Sequence, residues 1–240
     1  MSTTRESRHF HEELAALRIQ LLEMASMAED LLRISVEALV EGDRAKADSV
    51  ILGDRELDAM EVEVDDAAIN LLALHQPFAR DLRLITMIMR ISNDLERVGD
   101  HAVNIAEAVG HLDSRPAPLH RFPQLEEMAR IAREMLSDAL DSFVRGDAEG
   151  AREVCRRDDR VDALHESSFR GLLTHMMEDP RRIGTAMSLI LVSRNLERVA
   201  DLATNVGEDV VYLVEGRSIK HRRGNGDQND QETRTDPEAG

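Results

Sequence analysis

The sequence predicts an all-α protein made of two tandem three-helix bundles with an internal pseudo-repeat, followed by a disordered C-terminal tail. Aromatic residues are only 2% of the 240 residues and hydrophobic residues are 42%, a composition that suits helices better than sheets. Apolar residues also recur at helical spacing along most of the chain. Finally, one long motif occurs twice, which indicates an internal duplication.

The first half of the chain reads as three long helices. Gly42-Asp43 separates a helix over about residues 11–41 from a second over about residues 44–74. Pro77 is expected in the first turn of the third helix, where its missing N–H costs nothing. Apolar positions of this helix advance in steps of three and four: Leu82, Ile85, Ile88, Ile91, Leu95, Val98, Ala102, Ile105 and Val109.

The second half repeats this plan after a break at residues 113–118, which hold two prolines. Three helices are expected over about residues 122–144, from Gly146-Asp147 to about 178, and on to about 215. Asp179 is expected to cap the last helix, with Pro180 at its first position. The predicted domains are residues 8–112 and 121–216, and the polar residues 217–240 are predicted to be disordered.

The duplication is visible in the residues themselves. Residues 93–105 align with residues 194–206 without a gap, at an offset of 101. Both copies contain L-E-R-V-x-D-x-A-x-N, at the same place in each half. A match of this length and placement predicts two copies of one folding unit.

The charge balance limits the function classes. The formal net charge is −17, and the segment after Gly216 holds five basic and five acidic residues, so the excess lies in the folded body. Such a body repels nucleic acid and anionic lipid, but attracts cations or a basic protein partner. Cys155 is the only cysteine, and neither a signal peptide nor a membrane-spanning stretch is apparent, so a cytoplasmic protein is expected.

The repeated motif places acidic and amide side chains on one helical face. Relative to Leu95, these residues fall between about 100° and 180° around the helix, away from the apolar face. In the first copy they are Asn93, Glu96, Asp100, Asn104 and Glu107, and in the second Glu197, Asp201, Asn205 and Glu208.

A second acidic row lies on the preceding helix of each half, at positions i, i+4, i+7 and i+11. In the first half it consists of Asp54, Asp58, Glu61 and Asp65. In the second half Asp158 and Asp162 match, but His165 and Phe169 replace the other two, with His165 and Glu166 as candidate substitutes. The second row is therefore weaker.

Carboxylates four residues apart repel each other unless something neutralises them. A divalent or trivalent cation is one solution, because oxygen-only sites suit Mg, Ca, Mn or Fe. The other solution is pairing with Arg97 and Arg198, together with water. The spacing leaves both open.

An enzyme is the weaker interpretation. The acidic stripe points outward, whereas a ferritin-like di-iron centre directs its ligands into the bundle core. The sequence contains neither G-x-x-x-x-G-K-[ST] nor G-x-S-x-G. Cys155, on a helix, is expected to be a small core residue. We therefore expect no catalytic activity.

Several ordered motifs resemble the phosphate-transport regulator (PhoU) family. They are residues 10–24, 76–83, 91–107, 195–201 and 211–216, and the resemblance covers about residues 8–221. It implies two three-helix bundles, a homodimer, and action with the ATPase subunit of a phosphate ABC transporter. It also implies signalling to a phosphate-sensing histidine kinase that holds the starvation response off when phosphate is plentiful.

Some members of this family bind iron or zinc clusters through E/D-x-x-x-D motifs. The resemblance places these motifs at Asp54/Asp58, Glu61/Asp65, Glu96/Asp100, Asp158/Asp162 and Glu197/Asp201. Leu202 stands where a His is frequent in the family, and the second acidic row is incomplete, so the first bundle is expected to be the better site. A metal-storing or metal-sensing protein is therefore the alternative function.

Overall fold

The computed structural model describes residues 2–112, 122–217 and Ile219, with side chains from residue 8 onward. Within these residues the chain forms only helices, which confirms the all-α prediction. The helices are α1 (Ser2–Glu41), α2 (Arg44–His75), α3 (Ala79–Gly110), α4 (Pro123–Arg145), α5 (Ala148–Glu178) and α6 (Ile183–Glu215), the last preceded by a 3₁₀ turn (Pro180–Arg182).

The helices pack as two sets of three. α1, α2 and α3 contact one another in the first bundle, and α4, α5 and α6 in the second. In addition, α3 packs along α6, and α1 touches α4. One apolar cluster therefore runs through both bundles, and it includes Leu95 and its repeat partner Leu196, which are 0% and 1% exposed.

Polar contacts between α3 and α6 show that these helices run antiparallel. His101 Nδ1 lies 2.9 Å from Asn195 Oδ1, and Arg90 donates to Asp209 Oδ1 at 3.4 Å. Asp209 is only 2% exposed, so its charge requires a partner at this interface. The two bundles are joined by both apolar packing and partly buried polar contacts.

The Gly-Asp pairs build equivalent turns in the two bundles. Gly42 and Gly146 adopt left-handed backbone conformations with φ of 69° and 64°. The Asp43 side chain accepts from the N–H groups of residues 45 and 46, and Asp147 accepts from those of residues 149 and 150. The glycine ends one helix and the aspartate caps the next, as expected for these residue types.

Two helix starts differ from the prediction. α1 begins at Ser2, nine residues before the predicted start. α3 begins at Ala79, so placing Pro77 in its first turn was wrong. The chain reverses over residues 76–78, with Gln76 at φ 46° as the left-handed end of α2 and Ala79 at φ 45°. Reversing direction requires these extra residues before helical geometry can resume.

At the corresponding corner of the second bundle, the structure agrees more closely with the prediction. Asp179 accepts from the N–H of Arg181 at 3.1 Å, as a cap should, and Pro180 opens a 3₁₀ turn that continues into α6. The predicted break at residues 113–118 and nearly all of the predicted tail lie outside the described residues. No helix among the described residues is long and apolar enough to cross a membrane.

Candidate metal centre

The first bundle brings both of its acidic rows together. We call the groove between α2 and α3, with Asp54, Asp58, Glu61, Asp65, Glu96 and Asp100, the α2–α3 seam. The helices pack tightly at Gly99, where a Cβ atom would lie 2.6 Å from Asp54 Oδ1 and 2.5 Å from Leu57 Cδ2. Because residue 99 has no side chain, the carboxylate of Asp54 can rest against the α3 backbone.

Burial and mutual repulsion raise the pKa values of three carboxyl groups in this seam. The pKa of Asp54 rises to about 6, through burial first and then the charges of Asp58 and Asp100. The pKa of Glu61 is raised by burial and by Asp65 and Asp58. The pKa of Glu96 is raised by burial and by four acids, with Asp100 contributing most among them. The acids of the two helices therefore form one electrostatic cluster.

No lysine or arginine among the described residues forms an ion pair with the six seam acids. Arg97, the expected neutralising residue, lies 3.6 Å from Asp94 instead. Asp54 Oδ1 and Asp65 Oδ1 are buried and accept no hydrogen bond. A buried carboxylate oxygen without a donor is costly, so this cluster can be stabilised by protons or by a cation.

The second bundle carries a matching groove, the α5–α6 seam, with Asp158, Asp162, Glu197 and Asp201. Burial, Glu197 and Asp158 raise the pKa of Asp201, and Arg198 opposes that rise. Arg198 donates to Asp201 at 2.8 Å and lies 3.6 Å from Glu197. Here one guanidinium offsets part of the acidic charge, as one of the two interpretations of the sequence expected.

The substitutes proposed for the incomplete second row have other partners. His165 Nδ1 lies 2.8 Å from Ser193 Oγ, and Glu166 binds Arg170 on the same helix. His165 therefore faces α6 beyond Asp162, whereas Glu166 is exposed and faces solvent. Their role as substitutes in the acidic row stays a prediction.

The α2–α3 seam has the chemistry of a site for a hard cation. Its donors are carboxylate oxygens, which suit Mg, Mn or Fe better than Zn, and two of them are buried without a hydrogen bond. Within the described part of the chain, no three His, Cys, Asp or Glu groups already stand in a ligating arrangement. Binding one ion therefore requires carboxylate side chains along the seam to rotate toward it.

A cavity between the two bundles does not coincide with either seam. It measures about 650 Å³ and lies mainly between α1 and α4, and none of the ten predicted metal ligands lines it. The seams are open grooves between neighbouring helices, so a site there does not need an enclosed cavity. Cys155 is buried at 7% exposure between α5 and α6, which confirms its expected core position.

Gly99 was not predicted as a site residue, although it lies inside the repeated motif. A glycine in the middle of a helix costs stability relative to alanine unless close packing requires it. The feature that could have identified Gly99 is its position between the buried residue Val98 and the seam residue Asp100. Gly99 allows the close approach of α2 and α3 that buries Asp54.

Fold and site together define a duplicated helical-bundle protein in which each half carries an acidic seam. Residues 21–109 and residues 125–210 each match the PhoU domain. The chain therefore belongs to the PhoU family.

The relatives agree with the two-bundle arrangement over most of the chain. The chain is 40% identical over 211 residues to "Phosphate-specific transport system accessory protein PhoU homolog" of Aquifex aeolicus (strain VF5), covering 88% of this chain and 95% of the relative. It is 36% identical over 216 residues to the PhoU accessory protein of Escherichia coli (strain K12), covering 90% and 89%. The crystal structure of PhoU from Pseudomonas aeruginosa superposes with a TM-score of 0.80 at 35% identity, covering 87% of this chain and all of that one.

Proposed function

We propose that this chain is a non-catalytic accessory protein of phosphate-specific transport that works in the cytoplasm as a regulatory adaptor. It would contact the ATPase subunit of a phosphate ABC transporter and a phosphate-sensing histidine kinase, and it would hold the phosphate-starvation response off when phosphate is plentiful. Membership in the PhoU family over both halves is the observation that carries this proposal. The names of the similar proteins, which describe transport accessory proteins, support it.

The acidic surface supports docking to basic partner surfaces. The net charge is −17. Asp58 on α2 and Asp100 on α3 are both exposed where these two helices lie side by side. Long-range attraction would speed encounter with a basic partner and would weaken as salt is added. A pull-down with the transporter ATPase subunit at rising ionic strength tests this mode of contact. Salt-insensitive capture would contradict it and favour apolar faces.

The regulatory role is tested by deleting the gene in its own host and measuring alkaline phosphatase in phosphate-rich medium. We expect high activity despite ample phosphate, and low activity again when the wild-type gene is restored. Unchanged low activity after deletion would contradict the proposal. Complementation with Glu96→Ala/Asp100→Ala then shows whether the α2–α3 seam takes part, with Glu153→Ala/Asp159→Ala, two exposed changes on α5, as the control of equal charge.

We also propose that the chain is a homodimer. Exposed apolar side chains near the α2–α3 corner support a covered surface there, because Leu74 and Phe78 are 74% and 84% exposed. Light scattering coupled to size-exclusion chromatography measures the mass directly. A mass near the 26.9 kDa of one chain at micromolar concentration would contradict the dimer.

Metal storage or sensing is the second candidate, and the α2–α3 seam is the observation that favours it. Six acids without an ion-pair partner among the described residues, two of them with buried oxygens lacking a hydrogen bond, would be stabilised by Mg, Mn or an iron cluster. Zinc is included in this proposal only because of the resemblance to the family. Elemental analysis of protein purified without chelator decides it. Less than one metal ion per chain, together with intact regulation, would contradict a function centred on metal.

A further inference from the structure

A second cavity, of about 540 Å³, lies where α1, α3, α4 and α6 come together at one end of the two bundles. No acidic residue in the described part of the chain lines it, although the chain as a whole carries a net charge of −17. Four of its ten lining residues are arginines and the others are apolar or glycine: Arg18, Arg80, Arg83, Leu84, Phe143, Val144, Arg145, Gly146, Leu213 and Val214. We call this cavity the arginine cleft.

The arginines of the cleft come from three different helices, so tertiary packing assembles them. Arg18 is held in place, because it donates to Val144 O at 2.6 Å and its guanidinium carbon lies 5.7 Å from the Phe143 ring centre. The Nε atom of Arg83 is buried and donates no hydrogen bond. A buried guanidinium donor without an acceptor favours an anion beside it.

The other two arginines, Arg80 and Arg145, are exposed. Arg80 forms no ion pair within the described part of the chain and is exposed. Arg145 is paired with Asp141 at 3.4 Å, but both side chains are about 60% exposed, so solvent screens this pair. An anion that accepts from both Arg80 and Arg145 would replace a weak surface contact with stronger, charge-assisted ones.

The helix ends at the cleft carry partial charges of both signs. The N-terminus of α3, whose positive end favours anions, carries no side-chain cap from Phe78. The C-termini of α4 and α6 bring the opposite partial charge. Arg18 covers one carbonyl of α4, and Arg83 lies next to Gly216 at the end of α6. Four guanidinium groups therefore line the cleft, and Asp141 offsets part of the charge of Arg145.

We propose that the arginine cleft binds a small anion that carries two or more phosphate groups, such as a nucleoside polyphosphate or a short polyphosphate chain. Guanidinium groups match phosphate oxygens in paired hydrogen bonds, and four of them exceed what one phosphate needs. The volume lies within the usual range for small-molecule sites, about 300–1,000 Å³. The apolar side of the cleft, formed by Val144, Leu213 and Val214, can cover a nucleoside. This proposal does not depend on the adaptor role.

Isothermal titration calorimetry on the full chain at physiological salt tests the proposal, with tripolyphosphate, ATP and inorganic phosphate as probes. We expect tripolyphosphate or ATP to bind, and inorganic phosphate to bind at least ten-fold more weakly than the better of them. The double variant Arg80→Gln/Arg83→Gln should weaken this binding at least ten-fold. The matched control, Arg133→Gln/Arg194→Gln, removes two exposed arginines from the middle of α4 and α6 and should bind like wild type.

Three results would overturn the proposal: no binding of either polyphosphate at millimolar concentration, equal loss in the control variant, or equal affinity for inorganic phosphate and tripolyphosphate. A circular dichroism melt checks that the double variant folds. If it does not, Arg145→Gln takes its place, because this exposed side chain is not required for packing, and unchanged binding by that variant would overturn the proposal. Tighter binding of ATP than of tripolyphosphate would support contact of the nucleoside with the apolar side.

Discussion

Asp54 on α2 lies against Gly99 on α3. The Asp54 carboxylate fits there only because residue 99 lacks a side chain. A Cβ atom at residue 99 would lie 2.6 Å from Asp54 Oδ1, closer than such atoms normally approach. On its other side it would overlap Leu57, which is fully buried and cannot move into solvent. This contact fixes the depth at which the acids of the α2–α3 seam are buried.

Gly99→Ala should therefore lower the free energy of unfolding by about 1–3 kcal/mol, the usual cost of overpacking a core. Urea denaturation followed by circular dichroism measures the change. Gly110→Ala is the control on the same helix, since nothing lies within 4 Å of its added Cβ atom. Alanine there should be neutral or stabilising by up to about 1 kcal/mol. Equal effects at the two positions would contradict the close packing at Gly99.

Asp54→Asn should stabilise the protein at pH 7.5 by about 1 kcal/mol, a figure reduced for the partial exposure of the carboxyl group. The folded-state pKa of about 6 lies above the ordinary 3.8, so the native state keeps the proton where the unfolded chain releases it. The stability from this protonation is present below pH 3.8 and lost as pH rises through about 6. The gain from Asn should therefore vanish near pH 4.

Urea denaturation of Asp54→Asn at both pH values tests this expectation. Asp66→Asn is the control, because it removes an exposed acid from the same helix. Destabilisation by Asp54→Asn at pH 7.5 would show that the Asp54 carboxylate has a favourable partner that its surroundings do not reveal.

Mn²⁺ should raise the melting temperature of the wild-type protein if the α2–α3 seam holds a cation. A ligand present at 100 times its dissociation constant stabilises by about 2.7 kcal/mol. The shift should disappear in Asp58→Asn/Asp100→Asn and persist in Asp162→Asn/Glu197→Gln, because Arg198 already offsets part of the acidic charge of the second seam. Each variant is compared with itself in EDTA, since removing repelling acids changes stability without metal. Equal loss of the shift in both variants would contradict this preference.

Gln76→Gly should raise the free energy of unfolding by about 1 kcal/mol. Gln76 ends α2 with φ 46°, a conformation that glycine adopts without the steric penalty of a side chain. The N–H of residue 76 donates to Leu72 O, a contact that glycine preserves. Urea denaturation measures the gain, and Gln124→Gly, at a right-handed helical position in α4, should instead destabilise. A loss of stability at residue 76 would contradict strain at this corner.

Much of the candidate site followed from spacing alone. Asp54, Asp58, Glu61 and Asp65 recur along one face of α2, and Glu96 and Asp100 lie on one face of α3, so two acidic rows could be predicted. Spacing could not decide what neutralises them. Arg97 and Arg198 occupy equivalent positions in the repeat, yet Arg198 binds Asp201 whereas Arg97 turns to Asp94. Both contacts are i,i+3 pairs within one helix, and this spacing permits Arg97 to pair with either Asp94 or Asp100.

The sequence by itself determined the helices, the duplication and the turns, because periodicity, Gly-Asp pairs and caps act within a few residues of each other. Asp43 and Asp147 cap their helices through neighbouring N–H groups. Only the tertiary structure decided how deeply Asp54 is buried and that Arg18, Arg80, Arg83 and Arg145 share one cleft. Those features require helices distant in sequence to pack against one another, and packing depends on the shapes of both surfaces.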